Sequence, residues 1–118
     1  MIMEITALLN KIKENQQDAT FDEVIACVDA YYTFTPTKFT NGQLLNEAGQ
    51  NSGSCKVFAF GKLHGLSKEQ TLHCFGDYYR KDVLNDPEGD GHQNIRNFIK
   101  TGWEGINFEG DPLTEIES

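Results

Sequence analysis

The chain has 118 residues, which suits one domain with one hydrophobic core. Its net charge of −8 and its lack of a basic run argue against nucleic acid and anionic membranes as partners, because both are bound through clustered Lys and Arg. The odd count of 3 cysteines argues against a disulfide framework and favours a reducing compartment, and no apolar run reaches membrane length, so we expect a cytoplasmic protein.

Two helices are predicted at the start of the chain. Apolar residues recur at helical spacing from Ile5 to Ile12, which predicts the first amphipathic helix. Thr20 and Glu23 have the spacing of a capping box, and the residues that follow give a second helix a broad apolar face as far as Tyr32.

An aromatic segment follows the second helix. Phe34 and Phe39 flank a proline, and Asn41-Gly42 is typical of a two-residue hairpin turn. The flanking apolar runs are short, so we expect an ordered aromatic loop that allows a short hairpin. Residues 43–47 are predicted to add one helical turn.

A polar, glycine-rich loop over residues 46–54 leads directly into an apolar helix. Ser52 or Ser54 is predicted to cap this helix and Gly65 to end it. The helix is apolar around most of its circumference, so we expect it to be central and buried. Its N-terminus would present free amides and the positive end of the dipole to an anion. The alternative is that the Asn and Ser side chains of the loop satisfy these amides.

Cys55 and Lys56 lie in the first turns of this helix. Lys56 would add positive charge to an anion site. A helix N-terminus lowers the pKa of a thiol, which makes Cys55 a candidate nucleophile with His92 as its base and Asn94 orienting the imidazole. The alternative is that Cys55 is a small packed hydrophobe.

The second half of the chain contains two further helix starts. Ser67 and Gln70 form a capping box for a helix predicted to continue through Leu84, and Asp90 with Gln93 is predicted to cap the last helix. The loop before that helix resembles a calcium loop in its first positions but lacks the final bidentate Glu. No His or Cys pair has a zinc spacing, so we expect no metal and no cofactor.

These elements predict a mainly α fold. We expect a compact single-domain bundle of about five helices around the buried central helix, over residues 1–108. Residues 109–118 are acidic and are predicted to form a disordered tail.

Polar and charged residues from three parts of the chain are candidates for one binding pocket. We expect them to bind a small anion or an acidic side chain of a protein partner. The candidates are Asn46, Asn51, Ser54, Lys56, Arg80, His92, Asn94 and Arg96.

Motifs spread over residues 20–108 resemble a known family. They include Phe34-x-Pro36-x-x-Phe39-x-Asn41-Gly42, Asn46-x-Ala48-Gly49-x-Asn51-x-Gly53-Ser54-Cys55-Lys56, Tyr78-Tyr79-Arg80, His92-x-Asn94-Ile95-Arg96 and Gly102-Trp103-x-Gly105-Ile106. On these residues the chain resembles the HopJ family, which is labelled after type III secretion effectors. The resemblance implies a small bacterial domain and brings no activity, cofactor or catalytic residue with it.

Three functions are therefore open at this point. The first is a resident interaction module, the second a thiol-dependent hydrolase or transferase that uses Cys55, and the third a secreted effector that acts on a host protein. A patterned helix is predicted to begin near Glu4, and exported effectors generally need a flexible N-terminal segment. This favours the resident module.

Overall fold

The computed structural model describes residues 4–116 and contains five α-helices and five short β-strands within them. No helix among these residues combines the length and the apolar character needed to cross a membrane. The helices are α1 (Ile5–Glu14), α2 (Phe21–Tyr31), α3 (Ser52–Leu63), α4 (Lys68–His73) and α5 (Gln93–Thr101). The strands are β1 (Tyr32–Phe34), β2 (Phe39–Asn41), β3 (Leu44–Asn46), β4 (Ile106–Phe108) and β5 (Leu113–Glu115). Short 3-10 helices cover Gln16–Asp18 and Gly102–Gly105, and a short π-helix covers Tyr78–Val83.

Helix α3 lies at the centre of the molecule, as its apolar sequence predicts. The ring of Phe58 is fully buried and lies 4.9 Å from the ring centroid of Phe98 and 5.4 Å from that of Phe75. Phe39 from strand β2 packs against the same ring at 6.1 Å. One aromatic side chain of α3 therefore joins the hairpin, α5 and the segment after α4 into a single core.

Two small antiparallel sheets make the fold mixed α/β instead of a pure helical bundle. Strands β2 and β3 form the hairpin that the sequence allowed, with Gly42 at a φ of 62° in its two-residue turn. Residues 43–47 were predicted to form a helical turn, and this is wrong. The tight turn at Gly42 sends the chain straight back as strand β3. Strand β4 pairs along the other edge of β2.

The segment predicted as a disordered tail is partly ordered. Leu113–Glu115 form strand β5, which pairs antiparallel with β1, and the amide of Thr35 donates to the carbonyl of Pro112 at 2.8 Å. Leu113 is buried in the core and anchors this strand. The prediction of a disordered tail over residues 109–118 is therefore wrong for the residues of strand β5. Residues 117 and 118 lie outside the part of the chain that the structure describes.

Two of the three predicted capping boxes are present, at Thr20 and at Ser67. The helix that begins after Ser67 ends at His73, so the predicted longer helix is wrong. Gly76 has a φ of 62°, and a Cβ at this position would lie 2.8 Å from the backbone nitrogen of Phe21. The chain turns at this glycine, packs closely on the start of α2, and resumes as the π-helical turn.

Candidate functional site

An open cleft of about 530 Å³ lies between the N-terminus of α3 and the N-terminus of α5. Backbone and polar side chains of the two helix starts line one part of it. Three aromatic rings, from Phe21, Phe75 and Tyr78, line another part. The volume falls in the range of about 300–1,000 Å³ that is usual for small-molecule sites.

The first helix start differs from the sequence prediction. Helix α3 begins at Ser52, and its N-cap is Asn51, which has a left-handed φ of 54°. Neither serine caps the helix, and the Asn51 side chain donates to Asn46 instead. The backbone amides of Gly53 and Ser54 meet no acceptor among the described residues. They stay available at the edge of the cleft.

The second helix start repeats this geometry. The N-cap of α5 is His92, with a left-handed φ of 57°, and not Asp90 as predicted. The side-chain amide of Gln93 donates to the backbone carbonyl of Asp90, so the predicted capping box does not form. The amides of Gln93 and Asn94 find no acceptor in the part of the chain that the structure describes. Two uncapped helix N-termini therefore meet at one cleft.

A network of four asparagines, three of them buried, fixes the two helix starts relative to each other. Asn46 donates to Asn94 Oδ1 at 3.1 Å and accepts from Asn94 Nδ2 at 2.9 Å. The same Asn46 oxygen accepts from Asn51 at 2.7 Å, and Asn41 donates to the side chain of Asn94 at 3.1 Å. Asn46 is fully buried and does not line the cleft, so it is a positioning residue. Because these side chains bond one another, they leave the helix amides unsatisfied.

His92 is held at the edge of the cleft by two contacts. Its Nε2 lies 3.1 Å from Asp82 Oδ2, and its ring centroid lies 5.2 Å from that of Tyr78. Asp82, and not Asn94 as the sequence suggested, is thus the group that orients the imidazole. Both Tyr78 and Asp82 lie on the π-helical turn, a kind of irregularity that often occurs at functional sites.

Cys55 lies outside the cleft and faces the core. Its side chain is 1% exposed, and its Sγ is 3.9 Å from the carbonyl oxygen of Thr37. Burial raises the pKa of the thiol to about 11. The expected lowering of this pKa is therefore wrong, because desolvation of the thiolate outweighs the helix N-terminus. No observation in the structure favours thiol chemistry at Cys55.

The three predicted cationic residues do not reach the cleft. Lys56 Nζ lies 2.8 Å from the carboxylate of Asp29. Arg80 donates to backbone carbonyls in the segment before α2, and Arg96 donates to carbonyls of the loop that precedes α5. Of the eight candidates, the cleft is lined by Asn51, Ser54, His92 and Asn94. The cleft thus has backbone amides and one imidazole where the sequence suggested Lys and Arg.

Several residues of the cleft carry little signal in the sequence. Phe21 and Phe75 read as ordinary core positions of helices. Asp82, which contacts His92 but does not line the cleft, reads as a surface acid. Tyr78 is part of a family motif and of a short run of aromatic and basic residues, which sets it apart in the sequence. Among residues 4–116, no group of three or more His, Cys, Asp or Glu side chains could hold a metal ion.

Comparison with known proteins places this fold in a family. The model of the family described as HopJ type III effector protein matches residues 5–113. The chain belongs to the HopJ family. The HopJ chain is also similar to a solved structure described as the crystal structure of unknown function protein VPA0580, with 50% identity and a TM-score of 0.96. The match covers 98% of this chain and 97% of the other. No curated protein matches the chain.

Proposed function

We propose that this HopJ-family protein is a small binding module, resident in the cytoplasm, whose cleft takes up an anion. The anion is either a free small molecule or an acidic side chain of a protein partner. The observation that carries the proposal is the convergence of two uncapped helix N-termini on one cleft. Each N-terminus contributes oriented amide donors and the positive end of a dipole, so the pair favours negative charge between them.

The net charge of −8 does not prevent an anion from binding in the cleft. Carboxylates beyond about 8 Å are screened at physiological ionic strength, whereas the amides act at hydrogen-bond distance. Each exposed helix N-terminus contributes about 0.3–1 kcal/mol through its dipole, and each of the four amide hydrogen bonds to the anion contributes about 0.5–1.5 kcal/mol. With no Lys or Arg among the lining residues, we expect a dissociation constant in the millimolar range for an inorganic anion, or about −4 kcal/mol.

An amide-resolved titration tests the proposal. The protein is titrated with phosphate and with sulfate at constant ionic strength, and chloride serves as the control for nonspecific salt effects. We expect the amides of Gly53, Ser54, Gln93 and Asn94 to shift together along one binding isotherm. If these amides stay unchanged while the anion reaches about 50 mM, roughly fiftyfold above a constant of 1 mM, the anion site does not exist.

A substitution that places a carboxylate in the first turn of α3 tests the site, and an uncharged substitution at the same position is its control. In Ser54→Asp, the new side chain can accept from the free amides and carry the negative charge itself, so it competes with the external anion. Ser54→Asn has a similar size but no charge. We expect phosphate to bind Ser54→Asn but not Ser54→Asp. Equal phosphate binding by the two variants would show that the helix start is not the site.

A second candidate function comes from the family description, which contains the words type III effector. In that case the protein would be exported and the cleft would face a host protein. A secretion assay on the whole chain, in cells with an active type III system, separates the two possibilities. Retention of the chain inside the cell favours the resident module, and release that depends on the secretion system favours the effector.

A further inference from the structure

The cleft adjoins a second depression of about 360 Å³. The two share three lining residues, Phe21, Phe75 and Tyr78. Asp22 and Asp77 line the second depression and do not line the cleft. The groove therefore has three parts in sequence: free helix amides, an aromatic centre and two carboxylates.

The aromatic centre offers a surface for a flat ring. Phe21 and Tyr78 meet edge to face with ring centroids 5.3 Å apart, and Phe21 stacks on Phe75 at 6.3 Å. Phe75 is buried, but 44% of Tyr78 is exposed. An exposed aromatic ring inside a groove can stack with a planar ligand, since every such ligand presents a π-face.

The carboxylate end selects the opposite charge. The closest cation is Lys81, whose Nζ lies 3.6 Å from Asp77 Oδ2, and both side chains are about 70% exposed. Such an exposed pair is weak and can open at little cost. Asp22 lies in the first turn of α2 and forms no ion pair among the described residues. A second negative group on the ligand would be repelled here, and an amine would be attracted.

We infer that the ligand of this groove is an aromatic anion with an amine on the far side of its ring. The inference rests on the proposed anion site, because the helix amides hold the negative group. The aromatic centre holds the ring, and Asp22 and Asp77 accept hydrogen bonds from the amine. The ligand class is thus a phosphate or carboxylate joined through a planar ring to a cationic or amino substituent.

Four probes of increasing complexity test the inference on the full chain. They are inorganic phosphate, phenyl phosphate, 4-(aminomethyl)phenyl phosphate and 4-carboxyphenyl phosphate. We expect phenyl phosphate to bind about tenfold more tightly than phosphate, in line with one stacked ring. The aminomethyl probe should bind about twofold to fivefold more tightly than the carboxy probe, as for one exposed ion pair.

Failure of the inference is distinguishable from failure of the anion site. If phosphate binds and phenyl phosphate binds no more tightly, the aromatic part is wrong and the anion site stands. If the aminomethyl and carboxy probes bind equally, the amine part is wrong. If phosphate itself does not bind, the anion site fails, and the inference fails with it.

Matched variants assign the effect to named side chains. Tyr78→Leu should lose the tenfold gain from the ring and keep the affinity for phosphate, which also shows that the variant is folded. Tyr31→Leu removes a similarly exposed tyrosine that does not line either depression, so it should bind all four probes as the native protein does. Replacing Asp22 and Asp77 with Asn should make the aminomethyl and carboxy probes bind equally. An unchanged preference in that double variant would overturn the role of the two carboxylates.

Discussion

At the scale of single residues, the cleft depends on polar side chains that do not touch it. Asn46 is fully buried, and it bonds one asparagine at each helix start. A buried polar group left without a partner costs about 1–3 kcal/mol, so the network holds its members firmly. The stability of the fold and the geometry of the cleft therefore rest on the same side chain.

Replacing Asn46 with Leu should destabilise the protein by about 3 kcal/mol. The new side chain has a similar branched shape but is larger and leaves the Nδ2 of the buried Asn94 unpaired, whereas the exposed Asn51 can bond water. Urea unfolding measures the change. Asn107→Leu, at an exposed strand position, is the control and should change stability by less than about 0.5 kcal/mol. Equal stabilities of the two variants would mean that the network is not structural.

The thiol of Cys55 should make the stability of the fold fall at alkaline pH. Its pKa is about 11 in the folded chain against 9.0 for the ordinary thiol, so the unfolded chain loses its proton first as pH rises. The stabilising contribution of the buried, protonated thiol is fully present below pH 9. About 1.4 kcal/mol of the free energy of unfolding is lost at pH 10. Urea unfolding at pH 7 and pH 10 should show a smaller decrease for Cys55→Ala than for the native chain. The same decrease in both would contradict the burial of this thiol.

At the scale of the elements, local sequence predicts some helix ends and misses others. The capping boxes at Thr20 and Ser67 could be predicted because every atom involved lies within four residues. The starts of α3 and α5 could not. Asn51 and His92 adopt left-handed conformations that the capping patterns do not predict. Asn51 bonds Asn46, which is itself held by the distant Asn94, and His92 contacts Asp82 and Tyr78.

Gly76 gives a test of how α4 is joined to the start of α2. In Gly76→Ala, the new Cβ would lie too close to the Phe21 backbone, and alanine is strained at a positive φ. We therefore expect the free energy of unfolding to fall by about 3 kcal/mol. Gly65 has a nearly equal φ of 65° but nothing within 4 Å of its Cβ position. Gly65→Ala should therefore cost only about 1 kcal/mol. Thermal or urea unfolding compares the two, and equal losses would contradict the close packing at Gly76.

At the scale of the whole molecule, contacts between distant parts of the chain complete the fold. Strand β4 pairs with β2, and β5 pairs with β1, across most of the sequence. Periodicity in the sequence predicts the helices and the central position of α3, but short strands give little signal, and their partners are set by packing. For the same reason, the sequence can suggest that residues 51–54 and 92–95 belong to one site, but only the tertiary packing places them around one cleft.

The last strand, β5, offers a test of the pairing between distant parts of the chain. Leu113 is 5% exposed, so Leu113→Ala should destabilise the protein by about 2–3 kcal/mol through lost burial and a cavity. Ile116 follows the strand and is half exposed, so Ile116→Ala should cost less than about 1 kcal/mol. Urea unfolding of both variants provides the comparison. Equal, small losses would mean that residues 109–118 form the disordered tail that the sequence predicted.

The central claim is that amides from two helices share one anion. Crystals grown with selenate and measured at the selenium edge test it directly, because selenate mimics sulfate and its anomalous signal locates it. We predict a peak in the cleft, with oxygens about 2.7–3.2 Å from amides of both residues 53–54 and residues 93–94. A map with no peak in the cleft, or with a peak held by one helix alone, would contradict the claim.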